Sequence, residues 1–230
     1  MEQRAVLIIG ASRGIGRCLA ELLIAKGGVV ISAGRSDDVP KGIAKHIRFD
    51  ALRDELPVDE LPVALGGLVY CPGSIELKPL RMLKADDLRA AFEVNVVGAF
   101  SAVQRCADRL KRAPGSSVVL FSTVAVGRGM AFHAGVAAAK GAVEGLSRSL
   151  AAELAPTVRV NCIAPSLTRT SLADKLLNTP EKEATSADRH PLKRVGEPDD
   201  IAAMAEFLLS ASATWITGQV IGVDGGMSAI

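Results

Sequence analysis

Short apolar runs alternate with longer stretches of helical periodicity along the whole chain. Ala5–Ile9, Val29–Ala33, Ile47–Phe49, Leu68–Cys71, Val118–Phe121, Val158–Ile163 and Val220–Val223 are brief, apolar and bounded by turn or polar residues, and they read as strands. Between them, Ile15–Lys26, Ala85–Lys111, Ala137–Leu154 and Asp199–Leu209 place apolar residues at helical spacing. Pro198 suits a first helical turn, and Asp199 and Asp200 behind it complement the helix dipole. Strand–helix alternation of this kind predicts right-handed crossovers and an α/β, doubly wound parallel sheet of about seven strands with helices on both faces. At 230 residues the chain suits one domain spanning 1–230. One segment breaks the rhythm. From Thr170 to Val195 the chain is polar, weakly periodic and interrupted by Pro180 and Pro191, so a lid is expected around 170–195.

Composition narrows the partners. Apolar residues make up 49% and aromatics only 3%, which fits a buried sheet packed with Ala, Val, Leu and Ile. A net charge of +2 with no basic, aromatic-studded stripe argues against nucleic acid. Cys18, Cys71, Cys106 and Cys162 show no C-x-x-C and no metal-like spacing with histidine, so they read as small core residues and no metal is expected. No run reaches the roughly 18 apolar residues of a membrane span. Met1-Glu2-Gln3-Arg4 leads directly into the first strand, so no leader is expected and a reducing cytoplasm is the default.

Chemistry first shows after the first strand. Gly10-Ala11-Ser12-Arg13-Gly14-Ile15-Gly16 joins that strand to the first helix, where glycines allow a tight turn and free N–H groups with a favourable dipole hold a pyrophosphate. Gly10, Ser12, Arg13, Gly14, Ile15 and Gly16 are therefore the expected phosphate-side contacts of a dinucleotide. The second strand ends Ser32-Ala33-Gly34-Arg35. Gly34 holds the tip where an NAD site carries a carboxylate, and Arg35 with Arg13 could pair a ribose 2′-phosphate. NADP(H) is favoured over NAD(H) on this ground. Asp37 and Asp38 keep the second nucleotide open, and the arginines' alternative role is solvated surface charge.

The glycine loop, Asn95-Val96-Val97-Gly98, Val160-Asn161-Cys162-Ile163-Ala164-Pro165, Arg194-Val195-Gly196-Glu197-Pro198 and Val223-Asp224-Gly225-Gly226 occur together and in order. In this the chain resembles the short-chain dehydrogenase/reductase family over nearly its whole length. The resemblance implies a Rossmann-type fold and an active-site role for Asn95. It places Asp50 against the adenine (or as a helix cap), and Gly73, Pro165, Thr168 and Thr170 against the rest of the cofactor. Lys140 matches the lysine that binds the nicotinamide ribose. There are departures. Ile9 replaces a usual threonine, Ser166 a usual glycine, and Tyr70-Cys71-Pro72-Gly73 stands for Asn-Asn-Ala-Gly, with Tyr70 expected to pack or tether the sheet.

The largest departure concerns the reaction. The family's tyrosine, four residues before the lysine, protonates the substrate oxygen; here that position is Val136, and Tyr70 is the chain's only tyrosine. Thr123 lies thirteen residues before Val136, the family's serine interval, and Ser122 is its neighbour; either hydroxyl could polarise a carbonyl. The missing proton could come from His133, from Lys140 through water with Asn95, or from a hydroxyl on the substrate. Two functions follow: an NADP-dependent oxidoreductase of small carbonyls or alcohols with an atypical proton step, or a catalytically inactive NADP(H)-binding sensor or scaffold. Ala134 stands where enoyl reductases carry tyrosine, which argues against that branch. Lys175, Lys182, Arg189, Lys193 and Arg194, with Arg128 nearby, could attract an anionic substrate or simply face water. The resemblance also implies a homo-oligomer, with a tetramer expected.

Overall fold

Val6–Ile9 (β1), Val30–Gly34 (β2), Lys45–Arg48 (β3), Gly67–Tyr70 (β4), Ser116–Phe121 (β5), Val158–Pro165 (β6) and Val220–Val223 (β7) form one parallel sheet in the order β3-β2-β1-β4-β5-β6-β7. The computed structural model describes residues 4–230, so the reading of Met1, Glu2 and Gln3 as strand-leading residues lies outside the described residues. The helices are Gly14–Ala25 (α1), Ala85–Phe92 (α2), Gly98–Lys111 (α3), Ala125–Arg128 (α4), Ala134–Leu154 (α5), Asp174–Leu177 (α6), Pro180–Asp188 (α7) and Pro198–Leu209 (α8). Alternation along β1 divides the core between two faces. Leu7 and Ile9 pack with Ala102, Val103, Cys106 and Val143 of α3 and α5. Ile8 packs with Leu19, Ala20, Ile201 and Leu208 of α1 and α8. The fold is thus the predicted Rossmann-type α/β sheet covered on both sides. Among the described residues no helix is long and apolar enough to cross a membrane.

The chain departs from the pattern reading in three places. Ala85–Lys111 is not one helix, because residues Glu93–Val97 form a π-turn between α2 and α3. The edge strand β3 starts and ends earlier than Ile47–Phe49, since only Ile47 of its four residues is buried and apolarity alone cannot fix its register. The segment 170–195 carries α6 and α7. Pro180, which reads as an interruption, is the first residue of α7; Thr179 caps that helix by accepting from Lys182 N–H at 3.3 Å.

Where successive crossovers leave β1 in opposite directions, the carboxyl ends of β1 and β4 open a crevice, the place where doubly wound sheets bind ligands. The excursion is closed at its base: Arg169 N–H donates to Gly196 O at 2.8 Å, and Gly196 N–H to Leu167 O at 3.0 Å. Arg169 then bridges Glu183 of α7 at 2.7 Å and Glu197 at 3.0 Å, tying α7 to the start of α8.

Candidate active site and cofactor cleft

The glycine loop leaves no space for a side chain at Gly16. A Cβ on Gly16 would lie 2.3 Å from Gly10 O and 3.1 Å from Cys71 Sγ, and Gly10 and Gly14 have φ of +88° and +54°. Arg13 caps α1 in an extended conformation, and no acidic residue occupies the helix's first turn. Thr170 lies against Gly14, whose Cβ would sit 3.3 Å from the threonine methyl, so the start of the excursion covers the loop. A backbone cradle at a helix N-terminus with no opposing carboxylate fits a pyrophosphate.

At the tip of β2 the charges sort themselves. Asp37 pairs with Arg48 at 2.6 Å and sits 3.7 Å from His46, while Asp38 pairs with Arg17 at 3.3 Å. Arg13 and Arg35 are exposed, and their guanidinium groups have no hydrogen-bond or ion-pair partner among the described residues. Arg13 lies in the loop that leaves β1 and Arg35 directly follows β2, and the two adjacent strands are joined near their ends by Gly10 N–H donating to Ala33 O at 2.8 Å. Asp50 accepts from Leu52 N–H at 3.0 Å in the turn after β3, so what it caps is a turn and not a helix, the next helical element being the short one at Val58–Glu60.

Beyond the loop, a cavity of about 580 Å³ extends under the excursion, lined by Gly73, Ser122, Thr123, Val136, Lys140 and Ser166 among others. His133, Pro165, Thr168, Thr170 and Ile15 also reach it. Lys140, half-buried, donates to Phe121 O at 2.9 Å, and burial lowers its ammonium to about 8 from an ordinary 10.5 despite opposing contributions from Cys162 and Cys71. Val136, one turn earlier on α5, is buried and presents only methyl groups to the cavity. The two neighbouring hydroxyls differ. Ser122 donates to Glu144 Oε1 at 2.7 Å, whereas Thr123 Oγ1 accepts from Ala125 N–H at 3.3 Å and keeps its own hydrogen free. His133 is half-buried at the start of α5, with Nδ1 2.7 Å from Ala131 O.

Asn95 lies in the π-turn, behind the cavity wall. Its Nδ2 donates to Ala91 O at 2.8 Å, while its buried Oδ1 has no partner. A Cβ on Gly73 would lie 3.0 Å from that oxygen and 3.4 Å from Lys140 Nζ, so both groups flank one point. Tyr70 holds the turn: its hydroxyl donates to Val94 O at 2.7 Å, and only a glycine at position 98 leaves room, since a Cβ there would meet the hydroxyl oxygen at 2.1 Å. The Tyr70→Phe variant takes this donor from a half-buried carbonyl and is expected to lose about 1–2 kcal/mol. Its Tm should fall by about 2–8 °C in a thermal melt.

A sequence model described as enoyl-(acyl carrier protein) reductase matches residues 58–228. A tropinone reductase homolog of Arabidopsis thaliana is 31% identical over 98% of this chain and 92% of its own length. The 3-oxoacyl-[acyl-carrier-protein] reductase of Thermotoga maritima is 31% identical over 99% of this chain and 98% of its own. The chain belongs to the short-chain dehydrogenase/reductase family. Among solved short-chain dehydrogenase/reductase structures, one from Mycobacterium ulcerans superposes with a TM-score of 0.91 at 31% identity, covering 99% of this chain and 90% of that one. The ligand-free aldohexose dehydrogenase of Thermoplasma acidophilum gives a TM-score of 0.92 at 27% identity, over 99% and 95% of the two chains.

Sequence reading of this family member singled out Ser166 only as a departure and passed over His190. In the fold His190 is buried against the cavity, with Nε2 2.8 Å from Ser166 Oγ and Nδ1 2.7 Å from Ser186 O. No local motif links the two, because they are 24 residues apart. Of the basic residues in the excursion, Lys175, Lys182 and Arg189 reach the cavity. Arg194 instead pairs with Asp200 at 2.5 Å, and Lys193 donates to Asp188 O.

Proposed function

We propose that the protein is an NADP(H)-dependent oxidoreductase that interconverts a small carbonyl compound and its alcohol, with an atypical proton-transfer step. The observation that carries this reading is the joining of two features in one crevice: the glycine cradle with its two unpaired arginines, and the cavity that holds Lys140 and the free Thr123 hydroxyl. Gly10, Ser12, Gly14, Ile15 and Gly16 would hold the pyrophosphate, Arg13 and Arg35 the 2′-phosphate, and Lys140 the nicotinamide ribose, with Gly73, Pro165, Thr168 and Thr170 around the ring. The bound cofactor supplies or accepts a hydride. Thr123 polarises the substrate oxygen, Asn95 and Lys140 are spaced to share a water, and segment 170–195 covers the cavity as a lid. In this reading Val136 stands where the family places its tyrosine. The cavity-facing lysines and Arg189 favour a substrate bearing an anionic group. The exposed Val97 and Phe100 would be covered in a homo-oligomer.

Val136 also favours a second reading, a sensor or scaffold that binds NADP(H) without turnover, because valine transfers no proton. Calorimetric titration with NADPH and NADH in parallel tests the part common to both. NADPH is expected to bind at least tenfold more tightly, and binding of neither nucleotide sinks both readings. Gly34→Asp then tests the cause. A side chain there meets nothing within 4 Å, so the carboxylate can form without strain. It should reverse the preference, weakening NADPH by about 100-fold through like-charge repulsion while strengthening NADH. Unchanged NADPH affinity in this variant would remove the 2′-phosphate from the tip of β2.

A further inference from the structure

We infer that Ser166 and His190 form the proton-transfer pair of this site, Ser166 touching the substrate oxygen and His190 acting through it. The inference rests on the oxidoreductase reading above and supplies the group that Val136 cannot.

The hydrogen bonds fix the direction of the pair. A backbone carbonyl only accepts, so His190 Nδ1, 2.7 Å from Ser186 O, carries a hydrogen. In the neutral ring Nε2 is then the acceptor, and the Ser166 hydroxyl, 2.8 Å away, donates to it. When the ring is charged, Nε2 donates instead, and the serine hydrogen is released toward the cavity that both residues line. The same contact therefore offers two settings: a serine base backed by neutral histidine for alcohol oxidation, and a serine acid backed by charged histidine for carbonyl reduction. A nucleophile-like hydroxyl, a histidine within hydrogen-bond reach and a third group orienting that histidine is the arrangement that moves protons in many enzymes.

Ser166 is placed for this task. It directly follows Pro165, whose carbonyl accepts from Val124 N–H at 3.1 Å, so it adjoins the loop bearing Thr123. Its remaining contact, Met227 Sδ at 3.0 Å, is a weak acceptor that does not hold the hydroxyl hydrogen. His190 is buried at 3% exposure and packs against the turn at Gly225, whose Cβ would lie 3.6 Å from the imidazole. Asp224 lies on that turn and holds it, accepting from Gly226 N–H at 2.9 Å. From α6, α7 and the residue that follows α7, the charged groups facing the cavity are Lys175, Glu181, Lys182 and Arg189. Lys140 faces it from α5 and His133 from the residue before that helix, and Arg128 from α4 donates to Met227 O.

In reduction the balance closes without a further co-reactant. The carbonyl carbon gains the hydride that bound NADPH supplies, and the oxygen takes the Ser166 hydroxyl proton as its π bond breaks. Ser166 Oγ takes the proton from His190 Nε2, and the neutral ring is recharged by solvent.

The test uses the whole protein with NADPH, and with acetoacetyl-coenzyme A and 9,10-phenanthrenequinone as carbonyl probes. Wild-type kcat/KM should fall as pH rises, with one limb of that fall depending on the Ser166–His190 contact. Ser166→Ala should lower kcat by about 100-fold. His190→Gln should remove the pH limb, and both variants should bind NADPH within about threefold of wild type. Independently of cofactor, long-range nitrogen NMR resolves the rings of the chain's three histidines. His190, identified by its loss in His190→Gln, should show the Nδ1–H tautomer, and Ser166→Ala should shift its Nε2 resonance. The opposite tautomer, or a pH limb removed by His133→Gln and kept by His190→Gln, overturns the pair. Turnover that survives both substitutions overturns the pair alone; a wild type that binds NADPH yet reduces neither probe overturns the oxidoreductase reading and the pair with it.

Discussion

Gly16→Ala is expected to cost at least about 100-fold in NADPH affinity and to lower Tm, through a single added methyl. That methyl would lie 2.3 Å from Gly10 O and 3.1 Å from Cys71 Sγ, far inside contact distance. Gly10 cannot retreat freely, because its N–H donates to Ala33 O at 2.8 Å and Cys71 N–H is bonded to Ile9 O at 3.0 Å. Relief must come from moving α1, and with it the N–H groups that would hold the pyrophosphate. Overpacking of a well-packed core typically costs about 1–3 kcal/mol, or about 2–12 °C in a protein of this size. Gly145→Ala is the matched control: it is exposed on α5, its Cβ meets nothing within 4 Å, and it should raise Tm slightly. Calorimetry and a thermal melt on the two variants separate the effect of space from that of glycine itself. Wild-type affinity in Gly16→Ala would mean that the cradle does not carry the cofactor.

The glycine cradle was legible because its cause is local. A buried strand, a positive φ and a helix N-terminus leave their marks in adjacent residues, and the same holds for the apolar runs of the inner strands. The π-turn at Glu93–Val97 left no mark. Its partner is the Tyr70 hydroxyl 24 residues earlier, which donates to the Val94 carbonyl, and apolar spacing continues almost undisturbed across it. The choice between Ser122 and Thr123 was open in the sequence for a similar reason: Glu144, which engages the first hydroxyl, lies 22 residues on and reads as an ordinary helix-surface charge. Arg13 could be named from the glycine loop and Arg35 from the end of β2, but that Asp37 and Asp38 are engaged elsewhere depends on Arg48, on the next strand, and Arg17, on the first helix. Residues tied by neighbours in sequence can be read directly; those tied across the sheet cannot.

Lys140→Met should make the protein more stable and less able to bind its cofactor, the second large effect. The ammonium of the unfolded chain titrates near 10.5 and that of the folded protein near 8, because folding strips water from it. Between those values the unfolded chain binds more protons, so stability attributable to Lys140 rises with pH from 8 to 10.5. Below pH 8 both states are charged and the whole desolvation cost is present, about 3 kcal/mol at about 1.4 kcal/mol per pH unit. Methionine removes that cost but leaves the Phe121 carbonyl without its 2.9 Å donor, a loss of about 1 kcal/mol. The net gain at pH 7 is then about 2 kcal/mol, or about 4–8 °C in Tm. Melting both proteins from pH 7 to 10 checks the sign, since the gap should shrink as the wild type loses its buried charge. NADPH affinity should meanwhile fall by about tenfold or more as the ribose loses a charged donor. A site that keeps a destabilising ammonium beside a buried, unpartnered Asn95 oxygen is one shaped for a ligand, and a Lys140→Met variant that bound NADPH normally would show that the charge serves something other than the nucleotide.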